Sequence, residues 1–302
     1  MLSSFLLLAS QLLGCSAELP SELARPNALA LGADGTLYVS DFGHDRIVAF
    51  DPEGDVQRTF GSQGLGTGQL WRVYDVAIDT DGSVLVANRR PEDASSLDGD
   101  VWEVKRFRDG REVDALRFDG HFASASHSMN SLATADGGLL VVANPGGGEL
   151  FQMNREGTVV GSFGGVLHPQ ASPHAITRDG DDYWVVDQAQ HGMYRVTAAG
   201  AVPFFLDDDG HGPLRFPSAV AVCPGEWLAV ADLGNHRVQR FDIHGDYLSG
   251  FTPERAGPDQ PVQLMDIATD ATCERLYLAD SKGDRVLVTD LDGTVLLQLH
   301  DW

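Results

Sequence analysis

The sequence predicts an all-β fold, a six-bladed β-propeller of four-stranded antiparallel blades, and three observations lead there. The first is a hairpin signal in Leu228-Ala229-Val230-Ala231-Asp232-Leu233-Gly234-Asn235-His236-Arg237-Val238-Gln239-Arg240-Phe241-Asp242, two short apolar runs around a tight polar turn. It returns at Leu37-Tyr38-Val39-Ser40-Asp41 with Arg46-Ile47-Val48-Ala49-Phe50, and at Leu276-Tyr277-Leu278-Ala279-Asp280 with Arg285-Val286-Leu287-Val288. The second is the period. The middle runs end at Asp41, Asn88, Asn144, Asp187, Asp232 and Asp280, spaced mostly at the roughly 40–50 residues of a propeller blade, with one longer interval after Asn88. The third is a further strand after each hairpin, such as Tyr247-Leu248-Ser249-Gly250-Phe251, which brings the unit to four. Stacked β-helix coils fit poorly, because they use shorter repeats and lack regular hairpin turns.

Each unit opens on a strand whose fourth position is small: Asn27-Ala28-Leu29-Ala30, Tyr74-Asp75-Val76-Ala77, Asn130-Ser131-Leu132-Ala133, His174-Ala175-Ile176-Thr177, Ser218-Ala219-Val220-Ala221 and Met265-Asp266-Ile267-Ala268. Blades are wedges that crowd near their common axis, which favours a small side chain there. Asp-Gly follows at Asp34-Gly35, Asp81-Gly82, Asp136-Gly137 and Asp179-Gly180, suited to the positive φ of tight hairpins. The sixth unit carries its own fourth strand, Val295-Leu296-Leu297-Gln298-Leu299, so the ring is expected to close by packing of blade six on blade one.

No Gly/Pro/Ser-rich linker divides the 302 residues, and residues 25–302 read as one propeller domain. The formal charge of -23 argues against a nucleic-acid partner and against electrostatic binding to anionic lipid. Residues 1–14 stand apart. Their apolar run is too short to span a bilayer and suits a secretory signal. Leu12-Leu13-Gly14-Cys15 resembles the bacterial lipobox, which makes Cys15 the expected lipidation site and residues 15–24 a short tether. No Lys or Arg precedes the run, a departure from that pattern; the alternative is an ordinary signal cut near Ala17. The expected location is the bacterial cell envelope, at the outer membrane if there are two, with membrane contact through the N-terminal lipid only. In an exported protein Cys223 and Cys273 form an even pair, and a disulfide requires their Cα atoms within about 7 Å.

Asp232-Leu233-Gly234-Asn235-His236-Arg237-Val238-Gln239-Arg240-Phe241-Asp242, with Phe60-Gly61-Ser62-Gln63-Gly64-Leu65-Gly66-Thr67-Gly68-Gln69-Leu70 between blades one and two, resembles the NHL repeat. The resemblance covers the chain from about residue 25, closest in blades one, five and six, and implies a six-bladed propeller. That family hosts unrelated functions, so the resemblance says little of chemistry.

The pairs Asp41/Arg46, Asp232/Arg237 and Asp280/Arg285 each straddle one turn, and their repetition points to structure. Function is expected on the face bearing the turns between second and third strands, where loops vary without disturbing blades. There the lead residues Asn27, Tyr74, Asn130 and His174 ring the channel mouth, and residues 89–99 form the largest insertion, with Arg89 and Arg90 able to hold a carboxylate. Pro173-His174 resembles the Pro-His of peptidyl-hydroxyglycine amidating lyases, whose propeller holds zinc on three such histidines. The matching positions here are Asn, Tyr, Asn, Ser and Met, and one imidazole is short of the three protein ligands zinc normally takes; His121 or His127 could reach in from a loop. Asn27 and Asn130 with an acidic rim resemble the divalent sites of gluconolactonase-type propellers, and Asp207-Asp208-Asp209 could bind Ca²⁺. The expectation is a monomeric, non-catalytic propeller, Ca or Zn not required, that binds a protein, peptide or glycan. The alternative is a metal-dependent lyase or lactonase acting at the channel mouth.

Overall fold

A computed structural model describes residues 22–91, 100–117, 129–135, 140–144, 148–162, 167–168, 170–197, 199–204, 206 and 210–299. Its strands form six four-stranded antiparallel sheets, each a contiguous stretch of chain. Blade one holds β1 (Pro26–Leu31), β2 (Leu37–Asp41), β3 (Arg46–Phe50) and β4 (Val56–Phe60), and blade two β5 (Val73–Ile78), β6 (Val84–Pro91), β7 (Asp100–Arg108) and β8 (Arg111–Arg117). Blade three holds β9 (Ser131–Thr134), β10 (Leu140–Asn144), β11 (Glu149–Met153) and β12 (Val159–Ser162), and blade four β13 (Pro173–Asp179), β14 (Asp182–Asp187), β15 (Gly192–Thr197) and β16 (Gly200–Phe204). Blade five holds β17 (Ala219–Cys223), β18 (Trp227–Asp232), β19 (Arg237–Asp242) and β20 (Tyr247–Phe251), and blade six β21 (Leu264–Thr269), β22 (Leu276–Asp280), β23 (Arg285–Thr289) and β24 (Val295–Leu299).

Strand composition tracks how far each strand's two faces are covered. A strand covered on both faces reads as a continuous apolar run, and β17 and β18 are buried throughout. The outermost β20 alternates between half-buried and exposed positions, because one of its faces meets water. Blades pack through six apolar seams, one for each adjacent pair, including six against one. The last seam joins Leu29, Leu37 and Val39 to Tyr277, Ala279 and Val286, so the ring closes without a borrowed strand.

The expected turns at Asp34-Gly35, Asp81-Gly82 and Asp179-Gly180 are present, with Gly35 at φ 83° in the turn after β1, while Asp136-Gly137 lies outside the described residues. Blade two departs from expectation. Its second strand does not end at Asn88; β6 and β7 run on as a long hairpin pairing Arg89 with Trp102, Arg90 with Val101 and Pro91 with Asp100. The start of the presumed insertion is therefore strand.

A second regularity holds the seams on the face of the β2–β3-type turns. The turn residues Asp45, His191, His236 and Asp284 all lie in the left-handed region. Each grips the chain that leads into the next blade. Asp45 Oδ1 accepts from Arg72 N at 2.5 Å, Asp284 Oδ1 from Arg25 N at 2.8 Å, and His191 Nδ1 from Phe216 N at 3.0 Å, while His236 Nδ1 donates to Val262 O at 2.7 Å. Blades five and six are also joined covalently: Cys223, at the end of β17, is disulfide-bonded to Cys273, in the turn after β21, with Cα atoms 5.6 Å apart. Residues 1–21, including Cys15 and the whole of the expected signal, lie outside the described residues, as do residues 92–99 of the presumed insertion, His121, His127 and Asp207-Asp208-Asp209.

Candidate functional site

The Asp–Arg pairs are structural. Arg46 Nε meets Asp41 Oδ2 at 2.6 Å, Arg237 Nε meets Asp232 Oδ2 at 2.7 Å and Arg285 Nε meets Asp280 Oδ2 at 3.0 Å. The other carboxylate oxygen takes a backbone N–H of the segment leading into the same blade, from Ala24, Arg215 or Gln263. The guanidinium donates to carbonyls of that segment, Glu22 O at 2.9 Å, His211 O at 2.6 Å and Gly212 O at 2.7 Å, and in blade six Glu254 O. Each pair thus nails an incoming connection to its hairpin. Blade two does so with Asn88, whose Oδ1 accepts from Trp71 N and whose Nδ2 donates to Glu103 Oε1.

Several of the lead residues are engaged by the neighbouring blade. In blades one, two, four and six the register slips at this residue, a bulge that turns the side chain sideways. Asn27 Nδ2 donates to Tyr74 O at 2.5 Å, His174 Nδ1 to Ser218 O at 2.9 Å and Ser218 Oγ to Leu264 O at 2.7 Å. Burial pushes the His174 imidazole below its usual pKa, which keeps it neutral with the proton on Nδ1 and a lone pair on Nε2. That is the tautomer a metal-binding histidine uses. Among the described residues no group of three or more His, Cys, Asp or Glu is placed to hold a metal, and His121 and His127, which could reach in beside His174, lie outside them.

Arg90 is not available to a ligand carboxylate. It is buried, and its Nε donates to Glu103 Oε2 at 3.2 Å, because the long β6–β7 register sets the two on one face. Arg89, on the other face, lies with its Cζ 5.6 Å from the centre of the Trp102 ring. It ends a row along the rim of blades one and two: Arg25 over Phe42 at 5.0 Å, Phe42 edge-on to Tyr74 at 5.6 Å, and Tyr74 against Trp102 at 5.0 Å. Arg25 is exposed and Phe42, Tyr74 and Arg89 half-buried, while Trp102 forms the buried backing. Sequence reasoning named Tyr74 and Arg89 but missed Phe42, Trp102 and Arg25, which only the packing of two blades brings together.

The axial cavity, of about 340 Å³, lies beyond the lead residues, toward the turns between first and second strands. Its walls carry the small fourth-position residues Ala30, Ala77, Ala133, Thr177, Ala221 and Ala268, as wedge crowding requires. Two carboxylates reach it that sequence reasoning did not single out, Asp75 and Asp266. The innermost strand of each blade has an unpaired edge, and these acids satisfy its amides. Asp75 accepts from Val76 N at 2.8 Å and from Leu132 N of blade three at 2.5 Å; Asp266 accepts from Ile267 N at 2.8 Å and from Leu29 N of blade one at 2.7 Å. Burial outweighs these bonds. It raises Asp75 to about 8, with the nearby Asp266 charge adding to the shift, and raises Asp266 to about 7. Aligning the six lead tetrads would have exposed the pair: their second position is acidic in blades two and six and Ala or Ser elsewhere.

With the six seams and the Asp–Arg hairpins in view, residues 214–241 match the family model for the NHL repeat. The chain is a six-bladed propeller. No curated protein matches it in sequence. Among solved structures it is similar to virginiamycin B lyase from Staphylococcus aureus, at 14% identity over 93% of this chain and 85% of that one, with a TM-score of 0.60. A protein of unknown function from Bacteroides thetaiotaomicron gives 13% identity over 88% and 69%, with a TM-score of 0.59. U3-55K gives 12% over 93% and 84%, with a TM-score of 0.61. Such identities speak for the fold alone, which is shared by proteins of unlike function.

Proposed function

We propose that this chain is a binding propeller at the cell envelope, which holds an acidic peptide or glycan against the rim of blades one and two. The observation that carries this reading is the row from Arg25 through Phe42, Tyr74 and Trp102 to Arg89. Half-exposed aromatic faces stack on sugar or peptide rings, and guanidinium groups at both ends hold carboxylates with charge-assisted bonds. Two cations flanking an aromatic strip stand out on a chain of net charge -23. The disulfide supports an oxidising location, and Leu12-Leu13-Gly14-Cys15 supports a lipid anchor, since several acyl chains hold a protein stably on a membrane. Screening the purified chain against acidic peptides and glycans tests the site. Tyr74→Ala and Arg89→Ala should each weaken a hit about tenfold or more; equal affinity in both would remove the site from this rim. Cell fractionation of Cys15→Ser tests the anchor, and a variant that partitions as the wild type does would end that part.

A second reading, an enzyme acting in the channel, has the Asp75 and Asp266 carboxylates in its favour, since acids with pKa values near neutrality suit proton transfer. Its backbone-capping duty speaks for structure instead. Stoichiometric Zn²⁺ or Ca²⁺ in the purified protein would revive the metal-dependent form.

A further inference from the structure

Blade four breaks the rule that the other Asp blades follow. Asp187 stands at the end of β14 as Asp41, Asp232 and Asp280 stand at the ends of β2, β18 and β22. Its Oδ1 does the same work, accepting from Ser172 N of the incoming segment at 2.9 Å, and also from Ala189 N at 3.0 Å and Gln190 N at 3.1 Å. The residue paired with it across the hairpin, however, is Gly192, at the register position held by Arg46, Arg237 and Arg285 in blades one, five and six. Asp187 is fully buried, and among the described residues its Oδ2 has no hydrogen-bond partner. A buried carboxylate without a cation beside it is costly in general, and among the described residues none supplies that cation.

A side chain has space to begin at the position of the missing arginine. A Cβ on Gly192 would meet nothing closer than Gln190 O at 3.7 Å, ordinary contact, and Gly192 does not adopt a left-handed conformation that would demand glycine. The task of tying the turn to the incoming segment passes to Gln190, whose Nε2 donates to Gln170 O at 3.3 Å. Both residues are exposed, so this bond exchanges readily with water. Gln190 replaces the carbonyl half of the arginine's work and leaves the carboxylate half undone.

We propose that Asp187 is a receptor for a guanidinium group carried by a ligand, so that blade four takes in trans the arginine that blades one, five and six supply in cis. The planar fork of a guanidinium fits both parts of the site, Nε–H on Asp187 Oδ2 and the terminal N–H groups on carbonyls of the incoming segment such as Gln170 O, as in the three intact blades. A lysine-type ammonium is a point donor and satisfies only one part. The inference is independent of whether the rim of blades one and two binds an acidic ligand.

The test uses the full chain with methylguanidinium chloride and, separately, a short arginine peptide and its lysine counterpart, each against sodium chloride of equal ionic strength. Saturable one-to-one binding by calorimetry is expected for methylguanidinium or the arginine peptide, at least tenfold tighter than for the lysine peptide. A tighter arginine peptide identifies a protein partner, whereas equal affinity for methylguanidinium identifies a small guanidine. Asp187→Asn should lose the binding. Gly192→Arg should also lose it while raising the melting temperature, because the vacancy is filled; that arm stands if Asp187→Asn does not fold. Absence of saturable binding to the wild type, or binding retained in Gly192→Arg, would overturn the proposal.

Discussion

Reducing the bond between Cys223 and Cys273 removes a cross-link that closes a loop with a sequence separation of 50. The chain-entropy relation gives about 4 kcal/mol of stabilisation for a loop of this length, since the cross-link denies the unfolded chain much of its freedom. The native side adds little on reduction. Cys223 sits in the apolar seam of blades five and six, where a free thiol behaves as a small hydrophobe. At this chain length a melting temperature moves by roughly 2 °C per kcal/mol, so the fall should be ~8 °C. Scanning calorimetry of the oxidised chain, the chain in a phosphine reductant and a Cys223→Ala/Cys273→Ala variant reads it directly. The reduced chain and the double variant should melt together, both below the oxidised chain. Coincident melting of all three, with alkylation finding both thiols free in the untreated protein, would refute the reasoning.

Arg46→Ala should cost about 3–5 kcal/mol in urea unfolding, because it strands the buried Asp41 carboxylate. Arg237→Ala should cost less, since that guanidinium is 20% exposed and water can replace part of it. Asp75 and Asp266 titrate higher in the folded chain than the usual carboxylate, so between about pH 4 and pH 8 the native state holds protons that the unfolded state has lost. Their contribution to stability therefore declines as pH rises through that window, and Asp75→Asn should flatten the slope of unfolding free energy against pH. His174→Ala should lower stability by about 1 kcal/mol through loss of the bond to Ser218 O, seen as an earlier urea midpoint.

Much of the fold was legible because the repeat writes the same physics six times. Asp41, Asp232 and Asp280 mark strand ends, and the fourth-position alanines mark the axis. What stayed hidden depends on how neighbouring blades meet. Asp45 gripping Arg72, or Tyr74 packing on Trp102, leaves no trace in either local sequence. Arg90 read as a loop cation because nothing local announces that β6 and β7 continue past Asn88 and bring Glu103 alongside. The same five-residue spacing that identified the Asp–Arg pairs also ends on Gly192, so the vacancy in blade four was readable once the pairs were known to be structural.

Closure by side chains alone makes the starting point of the ring arbitrary. Leu23 and Leu299 lie in the same apolar seam, so a short linker can join the two sides of blades six and one. A circular permutant so joined, and opened instead between β4 and β5, would move the unlinked seam to blades one and two. That seam has its own fastenings, Asn27 on Tyr74 O and Asp45 on Arg72 N. Cutting there exchanges one high-effective-concentration contact for another of the same kind, and the permutant should refold to the same blades in a new chain order.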